Sequence, residues 1–487
     1  MANPNQDPFA NQPELFGHPV GLYFLFFTEM WERFSYYGMR AILTLFLAAP
    51  ILLDNPQSGF GWSNAETLSF YGTYTMFVYL TSIPGGIIAD RYIGQKNAVM
   101  LGGLLLCIGH GTLAINQEWA FFTGLVLIVL GVGFLKPNIS TMVGGLYKQG
   151  DARRDKGFYI FYIGINLGAF LGALIVGVVA ARYGWHAGFG LAGIGMALGQ
   201  LVYIYGLRYL KTVGNFIGKA DSPDKELLKK PLTKVEKDRM LVMFLSFLII
   251  IVFWGAFEQA GGLMSLYTEQ KTNRMLGFSL PIIGNEVPAA VFQSINAFFI
   301  IALGTLMGAF WYKWARAGRE SSSLFKMAIG VIIMGTGFLF MSKASTEVVT
   351  AENGDLLEKS AMIWLVLAYL FHTVGELCAS PVALSFITKL APVKYASFMM
   401  GAYFAATGIG NKVAGLIGES AAGAGDFQTF TGIAVFCTLF GLLVLAILKP
   451  LKRLTHGAED LDLSLENGVA NPKNVTGKGA LQVKTHE

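Results

Sequence analysis

Charged residues are scarce in this 487-residue sequence. Asp, Glu, Lys and Arg together make up 14% of it, whereas hydrophobic residues make up 54%, and the mean hydropathy is +0.52. A soluble globular domain carries about 25% charged residues, so this composition excludes an ordinary soluble protein. The sequence therefore predicts a protein that crosses a membrane several times.

Cysteine and histidine are also few. The three cysteines, Cys107, Cys378 and Cys437, all lie in apolar runs, so they predict core packing rather than a disulfide framework or a metal site. An intramembrane enzyme would need a nucleophile or metal ligands, such as two histidines at helical spacing. The six histidines are scattered, and only His110 and His372 lie in apolar runs. We therefore expect no enzyme, no metal and no cofactor.

Two targeting or binding signals are missing as well. The first eighteen residues lack a basic segment followed by a short apolar core, so we expect no cleavable signal peptide. The formal net charge of +5 arises from the loops between apolar runs, so it is no argument for nucleic-acid binding.

Long apolar runs dominate the rest of the sequence. A membrane-spanning helix needs about 20 apolar residues, and about twelve runs satisfy this. They are 20–53, 64–89, 97–115, 120–147, 157–181, 187–209, 241–268, 289–312, 324–342, 361–388, 396–423 and 428–448.

The loops between these runs alternate in basic character. Lysine and arginine concentrate in every second loop, from Arg91 and Lys96 to Lys452 and Arg453. Because basic residues accumulate on the cytoplasmic side, both termini are predicted to be cytoplasmic. We expect a flexible N-terminus (1–18), a six-helix bundle (19–210), a polar cytoplasmic linker (211–240), a second six-helix bundle (241–450) and a disordered tail (451–487). Two such bundles would place a substrate near the membrane midplane between them.

The first run carries charges at a depth where they are costly. Each charge at the centre of a spanning helix costs roughly 2.5–3.5 kcal/mol on insertion scales, and such residues usually face a water-filled path. At helical spacing they share one stripe with a tyrosine: Glu29, Glu32, Arg33, Tyr36 and Arg40. This stripe predicts a binding site.

Other polar residues lie deep in later runs. Lys136 precedes Pro137, which kinks a helix because it cannot donate a backbone hydrogen bond, so we expect Lys136 to point inward. Asn166 and Asn296 are either interhelical hydrogen-bonding residues or site residues. Glu258 and Glu376 are each expected to be paired or to carry a proton. For His372, one turn before Glu376, a hydrogen-bonded packing role is favoured over titration.

These residues divide by charge between the two halves. The first half contributes mainly cations together with Glu29 and Glu32, and the second half contributes Glu376. A pocket with one positive and one negative wall suits a zwitterion that spans the gap. Aromatic residues are expected to line the space between the walls: Tyr36, Tyr37, Tyr79, Trp254 and Phe257.

Several strings resemble one known family. EMWERFSYYG at 29–38 is similar to the ExxERFxYYG motif of the proton-dependent oligopeptide transporters, a branch of the major facilitator superfamily. GFLKPNIS around Lys136, FYIGINLG at 161–168 and GELCASPV at 375–382 also resemble that family's segments. The loop GGIIADRYIGQK at 85–96 resembles the superfamily's loop between helices two and three.

The resemblance implies a function and roles for residues. It implies an all-α major facilitator fold in the plasma (inner) membrane and a monomer that imports di- and tripeptides by alternating access, driven by a proton gradient. Arg33, Arg40 and Lys136 would face the peptide carboxylate, and Asn166, Asn296 and Glu376 would hold its amino end. The resemblance further implies peptide contacts for Tyr37 and Tyr79, coupling by Glu29 and Glu32 with Arg33 and Lys136, and a candidate gate of Arg40 with Glu269.

Three features depart from the family's pattern. Two extra helices found in many bacterial members are absent, because only 211–240 separates the halves. The second-helix histidine of animal members has no counterpart in 64–89, which leaves proton entry to carboxylates, and Tyr403 stands where some members have a pocket tryptophan. The alternatives are the same fold carrying another small anion or drug-like solute, and a receptor or scaffold that does not transport.

Overall fold

The computed structural model describes residues 12–148, 151, 153–215, 231–281, 283–353, 355–392 and 395–458. The predictions for residues 1–11, for residues 216–230 of the linker and for residues 459–487 lie outside this part of the chain. Within it, 3₁₀ turns cover Leu207–Tyr209, Glu258–Ala260 and Ala289–Gln293, and a π-helical turn covers Ala89–Ile93. The α-helices are α1 (Val20–Ala48), α2 (Asn64–Leu80), α3 (Ser82–Ile88), α4 (Gln95–Leu113), α5 (Glu118–Gly145), α6 (Arg153–Tyr183), α7 (Trp185–Gly206), α8 (Lys234–Phe257), α9 (Leu263–Lys271), α10 (Ser294–Arg316), α11 (Ser323–Glu347), α12 (Met362–Leu390), α13 (Ala396–Ala424), α14 (Asp426–Ala446) and α15 (Leu448–Arg453).

Each predicted apolar run corresponds to one helical rod. The second run forms α2 and α3, and the seventh forms α8 and α9, joined by the 3₁₀ turn at Glu258–Ala260. Among the described residues, eight of the rods are long and apolar enough to cross a membrane by length and composition alone. Helix α1 is not among these eight, and it carries the charged stripe, so its burial depends on partners inside the protein.

Short strands outside the long helices were not predicted. They are β1 (Glu14–Leu15), β2 (His18–Pro19), β3 (Thr272–Asn273), β4 (Met275–Leu280), β5 (Gly284–Glu286), β6 (Val349–Thr350), β7 (Leu356–Glu358) and β8 (Ser360–Ala361). Antiparallel pairs join β1 to β2, β4 to β5 and β6 to β7, and a parallel pair joins β3 to β8.

The helices form two bundles, α1–α7 and α8–α14. In the first bundle α1 packs against α6 and α7, and α4 packs against α5 and α7. In the second, α11 packs against α12 and α14, and α8 packs against α13. Between the bundles, α2 runs along α13 and α6 runs along α10. The two bundles therefore contact each other mainly through these two pairs of helices.

Glycines let the backbones approach closely at the helix contacts. A Cβ at Gly168 or Gly172 of α6 would collide with a carbonyl oxygen of α1, and a Cβ at Gly72 of α2 would lie 2.7 Å from Gly415 Cα of α13. Small residues serve this purpose in membrane helix packing, where no hydrophobic force draws helices together. The first pair of glycines fixes the charged helix α1 against α6.

The bounds predicted from hydropathy needed correction at three places. Helix α8 begins at Lys234 rather than near 241, because Thr233 and Glu236 form a capping box that starts the helix in polar sequence. Residues 14–18, predicted to be flexible, form the β1–β2 hairpin together with Pro19, and His18 Nδ1 lies 2.8 Å from Tyr147 Oη. Residues 451–458, predicted to be disordered, include the end of α15.

Helix α15 is fixed to the cytoplasmic loop that precedes α11. Lys452 Nζ donates to Glu320 Oε2 at 2.9 Å, and the Ser322 backbone N–H donates to Glu320 Oε1 at 2.9 Å. Partial burial raises the pKa of Glu320, but these hydrogen bonds outweigh it and hold the pKa at about 2. Glu320 is therefore ionised at physiological pH and keeps α15 against the second bundle.

Candidate substrate site

The charged stripe of α1 forms a compact buried cluster. Arg33 Nε lies 2.9 Å from Glu29 Oε1 and 2.5 Å from Glu32 Oε2, and the three residues are between 0% and 4% exposed. The Arg33 Nε–H bond is not directed at either carboxylate. Neither Glu32 oxygen accepts a well-aligned hydrogen bond within the described structure. The contacts are therefore charge contacts between groups whose hydrogen-bonding capacity is not used up.

Lys136 joins this cluster from α5. Its Nζ lies 3.9 Å from the ring centroid of Tyr79, within the range of a cation–π contact. It also interacts electrostatically with Glu29, Glu32 and Arg33. As predicted, Lys136 points inward beside the proline in α5 rather than towards a membrane surface.

Arg40 has a different set of partners from Arg33. Its Nη2 donates to Glu258 Oε2 at 2.9 Å, and its Nε donates to Tyr71 Oη at 2.6 Å. Tyr71 Oη in turn donates to the same Glu258 oxygen at 3.0 Å. This buried triad ties α1 and α2 of the first bundle to the end of α8 in the second.

The expected pairing of Arg40 with Glu269 is wrong. Glu269 Oε1 instead lies 3.1 Å from Arg274 Nη2, and its side chain is 47% exposed. The rod does not continue as a regular α-helix between the two acids: the 3₁₀ turn at Glu258–Ala260 and the following glycines interrupt it. Glu258 therefore ends α8 facing Arg40, while Glu269 lies on α9 near its outer end.

Glu376 lies on the second bundle with two polar neighbours. Asn296 Nδ2 donates to Glu376 Oε2 at 2.8 Å and to Thr373 Oγ1 at 3.0 Å. Two of the predicted amino-end residues, Asn296 from α10 and Glu376 from α12, are thus brought together. Glu376 also lies near Tyr37 and Tyr162 of the first bundle, so it is on the side of the second bundle that faces the first.

Three further predicted site residues or pairs make contacts mainly with their immediate neighbours. Asn166 is buried, but its amide donates to the Tyr162 carbonyl of its own helix at 3.0 Å. The Tyr37 ring lies under Arg40, whose Cζ is 5.5 Å from the ring centroid. Trp254 and Phe257 contact each other at the end of α8, with ring centroids 5.3 Å apart.

His372 packs without hydrogen bonds. Its ring centroid lies 4.4 Å from that of Phe338, and neither ring nitrogen has a partner in the described structure. The packing role is confirmed, whereas the expected hydrogen bond is not formed.

Polar contacts between the bundles concentrate on the extracellular half. Besides the Arg40 triad, Thr44 Oγ1 donates to the Gly261 carbonyl at 3.0 Å and Asn64 Nδ2 donates to Gln270 Oε1 at 3.2 Å. On the cytoplasmic half, exposed Tyr159 and Thr305 share a hydrogen bond of 3.0 Å. The protein is therefore closed towards the outside in this conformation.

Two residues in these contacts were missed by the sequence analysis. Tyr71 completes the Arg40 triad, but a tyrosine in an apolar run gives no signal of its own. Lys412 of α13 donates to Thr73 Oγ1 of α2 at 2.8 Å. A lysine deep in the apolar run 396–423 is as unusual as Lys136 in its own run, so Lys412 could have been found.

Comparison with known proteins gives a consistent result. A family model described as "POT family" matches residues 96–228 and 225–426. The chain is 32% identical to the peptide transporter YePEPT of Yersinia enterocolitica, over 91% of this chain and 96% of that protein. It is 34% identical to a di-/tripeptide transporter of Lactococcus lactis, over 90% of this chain and 97% of that protein. A crystal structure of a peptide transporter POT in complex with sulfate superimposes with a TM-score of 0.81 and 33% identity, over 91% of this chain and 97% of that one.

Proposed function

This chain belongs to the POT family, and from that premise we propose that it imports di- and tripeptides together with protons by alternating access. The structural match over 91% of the chain confirms the predicted fold of two helical bundles of the major facilitator type. It is a multi-pass protein of the plasma (inner) membrane. Transport of this kind makes and breaks no covalent bond and draws on the proton gradient, so we infer a protein that is not an enzyme and needs no cofactor.

The observation that carries the proposal is the placement of cationic side chains on one wall of the site and of a carboxylate on the other. The first bundle contributes Arg33 and Lys136, and the second contributes Glu376 held by Asn296. A short peptide is a zwitterion whose two charges lie at its ends, so it can bridge these walls. One chain supplies both walls, which supports a working monomer.

The amino end of the peptide is assigned to Glu376 and Asn296. Glu376 accepts from Asn296 through one oxygen, which leaves its other oxygen to accept from a peptide ammonium. Charge-assisted hydrogen bonds of this kind are stronger than neutral ones. Asn166 is assigned a supporting role on the opposite wall, because its amide already bonds to its own helix.

The carboxylate end is assigned to Arg33 and Lys136. Arg33 Nη2 has no hydrogen-bond partner in the described structure, so it has a donor to offer. Arg40, expected to share this role, is engaged by Glu258 and Tyr71 and is assigned to the gate instead. Tyr37 and Tyr79 are assigned to the peptide backbone and side chains between the two ends.

Proton coupling follows from competition within the α1 cluster. When Glu29 and Glu32 are both ionised, their two negative charges balance Arg33 and Lys136. A proton on one carboxylate frees a cation for the peptide carboxylate, so proton and peptide enter together. One pH unit supplies about 1.4 kcal/mol and 100 mV about 2.3 kcal/mol per charge, which together sustain roughly a several-hundredfold peptide gradient.

The Arg40 triad closes the outer side during inward release. Removing one partner of a buried ion pair costs about 3–5 kcal/mol, because the other charge remains unpaired. The outward-open conformation would let water reach Arg40, so the loss falls mainly on the closed conformation. Breaking the pair should therefore shift the protein towards the outward-open conformation.

Glu258→Gln is expected to expose residues behind the gate. Thr44 is fully buried, so a Thr44→Cys reporter in a variant without the native cysteines should react slowly with a membrane-impermeant maleimide applied outside. We expect Glu258→Gln to raise the labelling rate about tenfold or more. Tyr71→Phe, which keeps the ion pair, should raise it far less. Equal rates in the parent and Glu258→Gln would remove the triad from the gate.

The proposed substrate class is tested by uptake into liposomes containing the purified protein. Under an inward proton gradient, free di- and tripeptides should accumulate, whereas N-acetylated dipeptides and nitrate should not. Accumulation of nitrate in place of peptides would identify a carrier of another anion. Absence of any solute-dependent flux would point to a receptor or scaffold.

A further inference from the structure

Lys412 lies at the contact between the two bundles. It is on α13, and its Nζ donates to Thr73 Oγ1 at 2.8 Å and to the Ser69 carbonyl at 3.4 Å. Both acceptors belong to α2 of the other bundle. Thr73 Oγ1 itself donates to the Ser69 carbonyl at 2.9 Å, so the hydroxyl oxygen is oriented to accept from the lysine.

The charge of Lys412 is balanced differently from that of Arg33 and Arg40. Arg33 and Arg40 each lie beside a carboxylate, whereas Lys412 has no Asp or Glu at ion-pair distance among the residues that the structure describes. An ammonium group inside a spanning helix is costly unless polar groups replace its water. Here α2 provides those groups, so the lysine is stabilised by contact with the opposite bundle.

The packing around Lys412 makes this contact sensitive to separation of the bundles. One turn further along α13, Gly415 packs against Gly72 of α2, where an added Cβ would lie 2.7 Å from the Gly415 Cα. Gly408, one turn before Lys412, packs against the Met76 carbonyl in the same way. Because the two backbones touch on both sides of Lys412, moving α2 away from α13 by a few ångströms removes both of its acceptors.

We propose that Lys412 is a second clasp between the bundles, which holds α2 against α13 while the extracellular side is closed. It acts at a different helix pair from the Arg40 triad, which joins α1 and α2 to α8. Opening requires water to enter between α2 and α13 and to replace Thr73 and Ser69 around the ammonium. Lys412 is a positioning residue, and the assignment rests on the alternating-access cycle proposed above.

The test measures the distance between the extracellular ends of the two bundles. Leu53, in the loop after α1, and Ala424, at the end of α13, are both exposed, and each is replaced by a spin-labelled cysteine in a variant without Cys107, Cys378 and Cys437. Pulsed electron paramagnetic resonance without peptide then gives the ratio of long to short distances. This readout does not require transport. A parent protein that takes up no peptide would contradict the proposed function and leave the distance test readable.

Lys412→Met is expected to raise the ratio of long to short distances about tenfold or more, since it removes hydrogen bonds made by a charged group. Lys412→Arg should restore the parent ratio because it retains a cation. Thr73→Val removes the acceptor while preserving shape, so it should raise the ratio in the same direction. The double variant Lys412→Met/Thr73→Val should exceed the stronger single variant only slightly, because both remove the same contact.

Other outcomes would overturn the proposal. A parent-like ratio in Lys412→Met, in an experiment where Glu258→Gln does raise it, would show that Lys412 does not hold the bundles together. Fully additive effects of Lys412→Met and Thr73→Val would show that they act through separate contacts. If Lys412→Met fails to fold, the Thr73→Val ratio decides, and an unchanged value there contradicts the clasp.

Discussion

Glu32→Gln is expected to abolish proton-driven accumulation of dipeptides while peptide exchange across the membrane continues. Glu32 is fully buried, and its Oε2 lies 2.5 Å from Arg33 Nε. With Glu29 and Glu32 ionised, the cluster of two acids, Arg33 and Lys136 is neutral. A neutral glutamine leaves it permanently with one excess positive charge, so the peptide carboxylate binds without a proton.

The expected size of this effect follows from the energy that the proton no longer supplies. Under a gradient of one pH unit and 100 mV, peptide accumulation should fall from roughly several-hundredfold to about equal concentrations inside and outside the liposomes. Counterflow, in which labelled peptide exchanges for unlabelled peptide inside liposomes, needs no proton and should persist. Glu352→Gln, at an exposed loop position, is the matched control and should behave as the parent. If the Glu32→Gln protein still concentrated peptide normally, Glu32 would not take part in proton coupling.

Glu376→Ala is expected to weaken binding of free dipeptides much more than binding of N-blocked ones. Glu376 is the carboxylate of the second bundle that we assign to the site. Its Oε2 accepts a hydrogen bond of 2.8 Å from Asn296 Nδ2. Hydrogen bonds to charged groups contribute about 1.5–3 kcal/mol, so affinity for a free dipeptide should fall about tenfold to a hundredfold. A peptide without an ammonium group does not form this contact and should lose little.

The measurement is competition against a labelled dipeptide in counterflow, with free and N-acetylated forms of the same sequence. Thr373→Val provides a matched control, because it removes a neighbour of Asn296 but leaves the carboxylate in place. It should reduce affinity far less than Glu376→Ala. Equal losses for free and blocked peptides in Glu376→Ala would exclude Glu376 as the partner of the amino end.

The helices and the buried charges were largely predictable from the sequence. Spanning helices need a minimum apolar length, so hydropathy alone located the rods. Charges inside such runs are costly, and in the first bundle this cost draws attention to Glu29, Glu32, Arg33, Arg40 and Lys136. The structure brings all of these except Arg40 into one cluster, whereas Arg40 pairs with Glu258.

Pairing between distant helices was not predictable in the same way. Arg40 meets Glu258 rather than Glu269 because a 3₁₀ turn and two glycines change the course of the seventh rod. Helical spacing cannot reveal such a break when the apolar run continues across it. Lys412 depends on the close approach of α2 and α13, which glycines on two separate helices permit, and no local pattern encodes which glycines will face each other.

The most direct test of the account is proton entry measured together with peptide entry. Liposomes containing the purified protein and an internal pH dye receive a dipeptide outside, with the membrane potential clamped. We expect a dipeptide-dependent acidification of the interior in the parent protein and none in Glu32→Gln. Peptide uptake by the parent without any acidification would contradict the exchange of proton and peptide at the α1 cluster.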